Sequence, residues 1–207
     1  GTGFNVASML LGCAVGLPLG AALAVYTFPG RGAAIALLNA FMGLPPVVVG
    51  LVVYLILSRS GPLGVLGLLY TPTAMIIAQA ILVTPLIAAL ARQSLADLHG
   101  EYDDLFRSLR LRPSEKIRAL IWDGRYSLST AALAGFGRAI AEVGAVIIVG
   151  GNIEHVTRVM TTAIALETSK GDLALALALG VILVTIAVAV NASVLALNRT
   201  ARRLAYA

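Results

Sequence analysis

Arg138 and Glu142 are ionisable residues in a stretch, from about residue 126 to 150, that is otherwise apolar. They lie four positions apart, so on a continuous helix they share one face. An ionisable side chain at membrane depth costs about 2.5 to 3.5 kcal/mol on insertion scales, and such groups are commonly paired. The spacing therefore predicts an ion pair that either locks a helix bundle or contributes to a gate or anion path. Asn152, just beyond this stretch, is a further candidate for the same path.

A second unusual motif is Gly43-Leu44-Pro45-Pro46, which interrupts another apolar stretch. Two consecutive prolines remove two helical hydrogen bonds and clash with the preceding turn. In a bilayer the freed carbonyl groups must be satisfied by protein or by a water-lined cavity, and broken helices often lie beside translocation pathways. Pro45 and Pro46 are therefore candidates for such a pathway, with a simple packing kink as the alternative.

The sequence contains no pattern for nucleotide hydrolysis, nucleophilic catalysis or metal binding. It has no Gly-x-x-x-x-Gly-Lys-Ser/Thr, Gly-x-Ser-x-Gly or His-Glu-x-x-His motif. Cys13 is the one cysteine, and His99 and His155 fall on opposite sides of the predicted membrane. We expect no enzyme activity, cofactor or metal in this chain, so active transport would take its energy from a partner or an ion gradient.

The candidate residues must be positioned by hydrophobic helices. Of the 207 residues, 59% are hydrophobic and 12% are charged, whereas soluble domains carry about 25% charged residues. A helix needs about 20 apolar residues to cross the bilayer, and residues 3–30, 32–58, 60–91 and 173–198 contain no charge. Together with the stretch around Arg138, this predicts an all-α membrane protein with one transmembrane domain over residues 1–207. Its five spans lie near residues 3–28, 33–57, 73–91, 127–150 and 173–197.

The basic residues predict the orientation of these spans. Most fall on one side of the membrane, in the loop 92–125 and at Arg31, Arg199, Arg202 and Arg203. The opposite side has only Arg59, Arg158 and Lys170. Basic residues near spans concentrate on the cytoplasmic side, so we expect the amino terminus outside and the carboxyl terminus inside. The net charge of +5 is then a topology signal and not a sign of nucleic-acid binding.

The cytoplasmic loop, about residues 92–125, has the features of a docking surface. Residues 101–109 are predicted as a short helix with Leu105, Phe106 and Leu109 as its apolar residues. Pro113 suits the first turn of a second helix, where its missing N–H costs nothing. Such a helix pair either lies on lipid headgroups or fits a protein socket, and the acidic Asp104 beside the apolar residues favours the socket.

Two further patterns concern packing and the outer surface. Gly12, Gly16 and Gly20 recur every four residues, which lets helix backbones approach closely. We interpret them as internal packing within one bundle, with a dimer seam as the alternative. Residues 160–166 are predicted as a short re-entrant or surface helix on the outer side.

Three stretches together resemble the permease subunits of ABC importers. In the "EAA" loop of that family, Asp104-Leu105-Phe106 stands for the opening, Arg110 for the glycine and Leu120-x-Trp122-Asp123 for the end. The spacing is kept, but the glycine and the terminal proline are not. Residues 43–50 with 60–64, and 136–145 with 150–153, are similar to the signatures of molybdate, tungstate and sulfate permeases. Residues 147–153 and 158–164 are most similar to the tungstate type.

The resemblance implies a type I ABC importer permease fold in a prokaryotic cell membrane. It implies a homodimer, two ATPase subunits that bind ATP and Mg²⁺, and an outer binding protein that delivers tungstate, with molybdate or sulfate left open. The residues that would couple the permease to the ATPase are Asp104, Leu105, Phe106, Leu109 and Arg110. An ion-driven secondary transporter is the alternative from another class, although such folds show paired repeats and the stretch around Arg138 occurs once.

Overall fold

The computed structural model describes the backbone of residues 2–205 and the side chains of residues 3–194 and 196. This part of the chain is helical and has no strand. Its helices, in order, are α1 (Thr2–Val25), α2 (Arg31–Met42), α3 (Pro46–Leu57), α4 (Pro72–Ser108), α5 (Pro113–Asp123), α6 (Arg125–Ile140), α7 (Gly144–Gly150), α8 (Met160–Lys170) and α9 (Leu173–Ala205). The all-α prediction is confirmed. The side chains of Arg199, Arg202 and Arg203, used above to orient the chain, lie outside the described set.

Three helices, α1, α4 and α9, are long and apolar enough to cross a membrane within the described residues. Two pairs of shorter helices pass the same test only together, and each pair is bent at its junction. The bend is 98° between α2 and α3 and 58° between α6 and α7. Counting each bent pair as one span gives five, which agrees with the number predicted from the charge-free windows. The spans predicted at 33–57 and 127–150 are therefore each two helices.

Helices α1 and α4 form the centre of the bundle, and the glycines of α1 lie between them. A Cβ atom added to Gly16 would lie 3.0 Å from the carbonyl oxygen of Thr84, and one on Gly20 would lie 2.5 Å from that of Ala88. Both distances are below ordinary van der Waals contact, so any larger residue would force the backbones apart. The interpretation of the glycines as internal packing is confirmed.

Helix α4 is longer than its membrane-crossing part requires. Its 37 residues extend about 56 Å at 1.5 Å per residue, whereas the hydrocarbon layer is about 30 Å thick. The prediction of a separate short helix at residues 101–109 is therefore wrong, because residues 101–108 are the last turns of α4. No proline interrupts residues 92–108, so the helix continues into water. The second helix predicted for the loop 92–125 is confirmed as α5, with Pro113 in its first turn.

The remaining helices pack around this centre. The short helix predicted at residues 160–166 is confirmed as α8, which is longer, Met160–Lys170. Helix α9 is almost uncovered, with 6% of its most apolar window buried. Its exposed side chains include Leu177 and Val184. An apolar helix surface of this kind is typical of a membrane protein, in which lipid takes the place of a core.

Candidate functional site

The junction between α6 and α7 carries the predicted ion pair. Arg138 lies in the last turn of α6, whereas Glu142 follows the end of that helix at Ile140. The prediction that both residues share one face of a continuous helix is therefore wrong. They remain near each other, with 4.0 Å between the Arg138 guanidinium and Glu142 Oε2. The Glu142 side chain is 4% exposed and that of Arg138 is 39% exposed, so the carboxylate is buried and the guanidinium is partly open to its surroundings.

Glu142 also replaces backbone hydrogen bonds that the junction lacks. Its Oε1 accepts a hydrogen bond of 3.1 Å from the backbone N–H of Ala145, at the start of α7. Its carbonyl oxygen accepts one of 3.2 Å from the Thr161 hydroxyl of α8. A helix start leaves N–H groups without intrahelical partners, and in a membrane these groups need substitutes. Glu142 is therefore a structural residue of the broken span as well as an ionic partner.

Gln79 of α4 supports the other side of the same junction. Its amide donates to the carbonyl oxygen of Ala139, near the end of α6, and to Asn5 Oδ1 at 3.1 Å. Its Oε1 accepts a 2.7 Å hydrogen bond from the Ser8 hydroxyl, and both Gln79 and Ser8 are fully buried. Sequence reasoning missed this cluster. The available signal was a single amide side chain in an apolar span, because such groups commonly form hydrogen bonds across helices.

A small cavity of about 80 Å³ lies beside this junction. Its polar groups come from Asn5, Glu142 and Thr161, and its apolar wall includes Phe136 and Leu183. Four helices, α1, α6, α8 and α9, and the α6–α7 junction therefore contribute to one cavity within the bundle. The amide of Asn5 and the hydroxyl of Thr161 can donate hydrogen bonds to an anion, as can the guanidinium of Arg138 nearby.

The two broken spans meet at their junctions. Pro45 precedes α3 and Pro46 opens it, so the proline motif ends α2 and begins α3. A Cβ added to Gly144, the first residue of α7, would lie 3.0 Å from Val47 Cγ2 and 3.6 Å from Glu142 Oε1. The predicted candidates Pro45, Pro46, Arg138 and Glu142 thus belong to one region of the bundle.

Asn152 lies apart from the Glu142 cavity. It follows α7 with φ 51, in the left-handed region, and its buried Oδ1 has no hydrogen-bond partner among the described residues. The structure places it just beyond the far end of α7, eight residues after Gly144. It is therefore not among the residues that line the cavity beside Glu142.

The end of α4 and the start of α5 form a turn, residues 109–112, that we call the elbow. The N–H of Leu111 donates to Phe106 O at 3.2 Å and that of Arg110 donates to Arg107 O at 3.1 Å, which is the Schellman arrangement of a helix end. Arg110 has φ 49, a conformation that favours glycine. The chain therefore keeps the left-handed turn at the position where the resemblance expects glycine, but carries arginine there.

The predicted coupling residues divide into buried and exposed ones. Leu105 and Leu109 are 51% and 59% exposed, and Asp104 and Arg110 are also exposed. Phe106 is 4% exposed and stacks on His99, with 5.9 Å between ring centroids. Phe106, predicted above as one of the coupling residues, therefore faces the bundle and is not exposed for contact with a partner. Its neighbours in that core are Ala21, Ala24, Ala91, Leu95, Leu120 and Leu128.

Comparison with known proteins gives relatives that extend over most of the chain. The chain is 43% identical over 187 residues to the tungstate uptake system permease protein TupB of Peptoclostridium acidaminophilum, covering 90% of this chain and 82% of that protein. It is 40% identical over 174 residues to a probable anion ABC transporter permease protein of Haloferax volcanii, covering 82% and 75%.

A more distant relative is the sulfate transport system permease protein CysT of Salmonella typhimurium. It is 29% identical over 167 residues, with 76% of this chain and 59% of that protein covered. No protein-family model matches the chain.

Proposed function

Because the chain belongs to the permease subunits of ABC importers, we propose that it forms the membrane path by which tungstate enters the cell. The observation that carries this proposal is the 43% identity to a tungstate uptake permease across 90% of the chain. The sulfate relative is at 29%, so tungstate is favoured over sulfate. Molybdate has the same charge and tetrahedral shape and is the competing substrate.

As a permease subunit of an ABC importer, the chain works with an ATPase subunit and a substrate-binding protein. ATP hydrolysis in such transporters belongs to the ATPase subunit. We place the elbow and the end of α4 on the cytoplasmic side, following the basic residues of the loop 92–125. A pair of permease copies over a pair of ATPases is the assembly that the family resemblance supports. In that assembly Leu105 and Leu109, both more than half exposed, are the apolar contacts offered to the ATPase.

The path is proposed to pass the region where the two broken spans meet. Helix breaks at membrane depth are tolerated where they line a cavity or are buried in protein. The cavity beside Glu142 and the partly exposed Arg138 guanidinium fit such a path. Arg138 would attract the oxyanion, and Glu142 would limit how tightly the guanidinium holds it. A weak site suits transport, because the anion must also leave.

The experiment is ATP-driven uptake by vesicles that contain this chain with its ATPase and binding protein. We expect tungstate uptake to require the ATPase and to resist a large excess of sulfate or molybdate. Equal competition by molybdate would extend the substrate range to oxyanions in general and would leave the assignment as an ABC importer permease intact. Uptake that continues without the ATPase and follows an ion gradient would contradict the proposal. Vesicles with an ATPase unable to hydrolyse ATP serve as the matched control.

The path is tested separately at Arg138. Replacement by Gln removes the charge while keeping a hydrogen-bonding side chain, so tungstate uptake should fall about tenfold or more while ATP hydrolysis continues. Arg138→Lys keeps the charge and should retain a larger share of uptake. Equal uptake by the wild type and Arg138→Gln would place the path elsewhere.

A further inference from the structure

The base of α5 presents a basic and aromatic face at the point where the chain re-enters the membrane. Arg118 and Trp122 lie one turn apart on α5, and Arg125 is the first residue of α6. All three line the same surface groove. Trp122 is 72% exposed. The Arg125 guanidinium lies 5.0 Å from the centre of the Trp122 ring and 4.7 Å from that of Tyr126. Among the side chains that the structure describes, no carboxylate forms an ion pair with Arg118 or Arg125.

The depth of this face follows from its contacts with α4. A Cβ on Gly124 would lie 3.0 Å from Leu95 Cδ2, so the base of α5 is level with Leu95. Arg92 is the first charged residue after the apolar part of α4, and Leu95 lies about 5 Å beyond it at 1.5 Å per residue. The headgroup layer is about 5 to 8 Å thick on each side. Trp122 and Arg125 therefore lie at headgroup depth.

The chemistry of the face matches that layer. Tryptophan and tyrosine concentrate at the membrane interface, because their rings are amphipathic. Each basic residue near an anionic leaflet contributes attraction for acidic headgroups. Arg125 donates a hydrogen bond of 2.6 Å to the carbonyl oxygen of Trp122, and its guanidinium lies over the Trp122 and Tyr126 rings. Such a guanidinium can bind a phosphate through two parallel N–H groups.

We propose that Arg118, Trp122 and Arg125 form a binding site for the headgroup phosphate of an anionic phospholipid in the cytoplasmic leaflet. The proposal rests on the orientation given under the proposed function. The ATPase is a less suitable occupant, because the exposed Leu109 at the elbow lies about 21 Å farther along α4 than Leu95. A partner that grips the elbow leaves the base of α5 facing the bilayer.

Trp122 is the one tryptophan of the chain, so the intrinsic tryptophan fluorescence of this chain in bilayers reports on this site alone. Phospholipids with brominated acyl chains near the headgroup quench a tryptophan that lies beside them. We would measure quenching by brominated phosphatidylglycerol and brominated phosphatidylcholine in mixed bilayers. We expect phosphatidylglycerol to be preferred, and the preference to fall about fivefold on replacing either arginine by Gln, as about 1 kcal/mol per basic residue implies.

The controls separate this site from general attraction to charge. Arg110→Gln removes an exposed cation at the elbow and should leave the preference unchanged, whereas Arg118→Lys should retain it. Quenching that is equal for both lipids, or unchanged by both Arg118→Gln and Arg125→Gln, would overturn the site. Absence of quenching until the ATPase is removed would show that a protein covers Trp122, which also overturns it. Loss of tungstate uptake alone would concern the proposed function and not this site.

Discussion

Phe106 and Leu109 lie three residues apart in the same predicted coupling segment, and the structure predicts opposite consequences for their substitution by Ala. Phe106 is 4% exposed and Leu109 is 59% exposed. Truncating a buried Phe costs about 3 to 5 kcal/mol, and each kcal/mol lowers Tm by about 2 to 4 °C for a chain of this size. Phe106→Ala should therefore lower Tm by about 6 to 20 °C. Leu109→Ala should change stability by less than about 0.5 kcal/mol.

For transport, Leu109→Ala should act directly on coupling to the ATPase, whereas Phe106→Ala should act only through loss of folded protein. Leu109→Ala removes an apolar contact that the elbow offers to the ATPase, so the ratio of tungstate imported to ATP hydrolysed should fall while the melting curve stays at the wild-type position. Phe106→Ala should lose uptake in proportion to the folded protein lost. The assays are thermal unfolding of the detergent-purified chain and coupled uptake and ATP hydrolysis in vesicles.

A matched control is Leu10→Ala in α1, because Leu10 is 58% exposed and lies in a membrane helix far from the elbow. It should leave both the melting curve and the coupling ratio unchanged. The reasoning is refuted if Phe106→Ala melts like the wild type yet loses coupling, because Phe106 would then be a docking residue. A wild-type coupling ratio in Leu109→Ala would refute the proposal that the exposed leucines of the elbow region contact the ATPase.

Three other predictions test the packing and the junctions. Gln79→Leu leaves the Ala139 carbonyl without its side-chain donor and should cost about 1 to 3 kcal/mol, seen as a lower Tm, whereas a wild-type melting curve would contradict the role of the cluster. Arg110→Gly should relieve left-handed strain of about 1 to 2 kcal/mol, partly offset by the flexibility of glycine, and raise Tm by about 1 to 4 °C, whereas Arg110→Ala should not. Gly20→Leu should prevent α1 from packing on α4, and we expect loss of the folded protein in size-exclusion chromatography, with Gly3→Leu as the tolerated control because nothing lies within 4 Å of its added Cβ.

The sequence predicted those elements whose cause is local. Charge-free windows marked α1 and α9, and the proline pair marked the end of α2 and the start of α3. The length of α4 was not predicted, because Arg92 marks where the chain leaves the apolar layer and not where the helix ends. Hydropathy reports the surroundings of a residue, whereas helix continuation depends on the absence of a breaker.

The sequence did not predict which residues of the coupling segment are buried and which are exposed. Leu105, Phe106 and Leu109 are all apolar, and their spacing alone does not tell which one turns toward the bundle. The structure decides this through α5, which returns along the end of α4 and covers Phe106 with Leu120. A helix pair buries the residues that face each other, and that choice depends on the elbow at Arg110. The resemblance identified the segment, and the turn geometry assigned the roles within it.

The α6–α7 junction shows most clearly why part of the site was out of reach. No proline or glycine lies between Arg138 and Glu142, so the local sequence favours a continuous helix. The break is stable because Gln79, Glu142 and Thr161 supply the hydrogen bonds that the helix gives up. These residues are far apart in the sequence, and each alone resembles a tolerated polar residue in an apolar span. A coupling surface that is contiguous in the sequence can be found from a motif, whereas a path whose polar groups come from separate spans becomes visible only when the helices are packed.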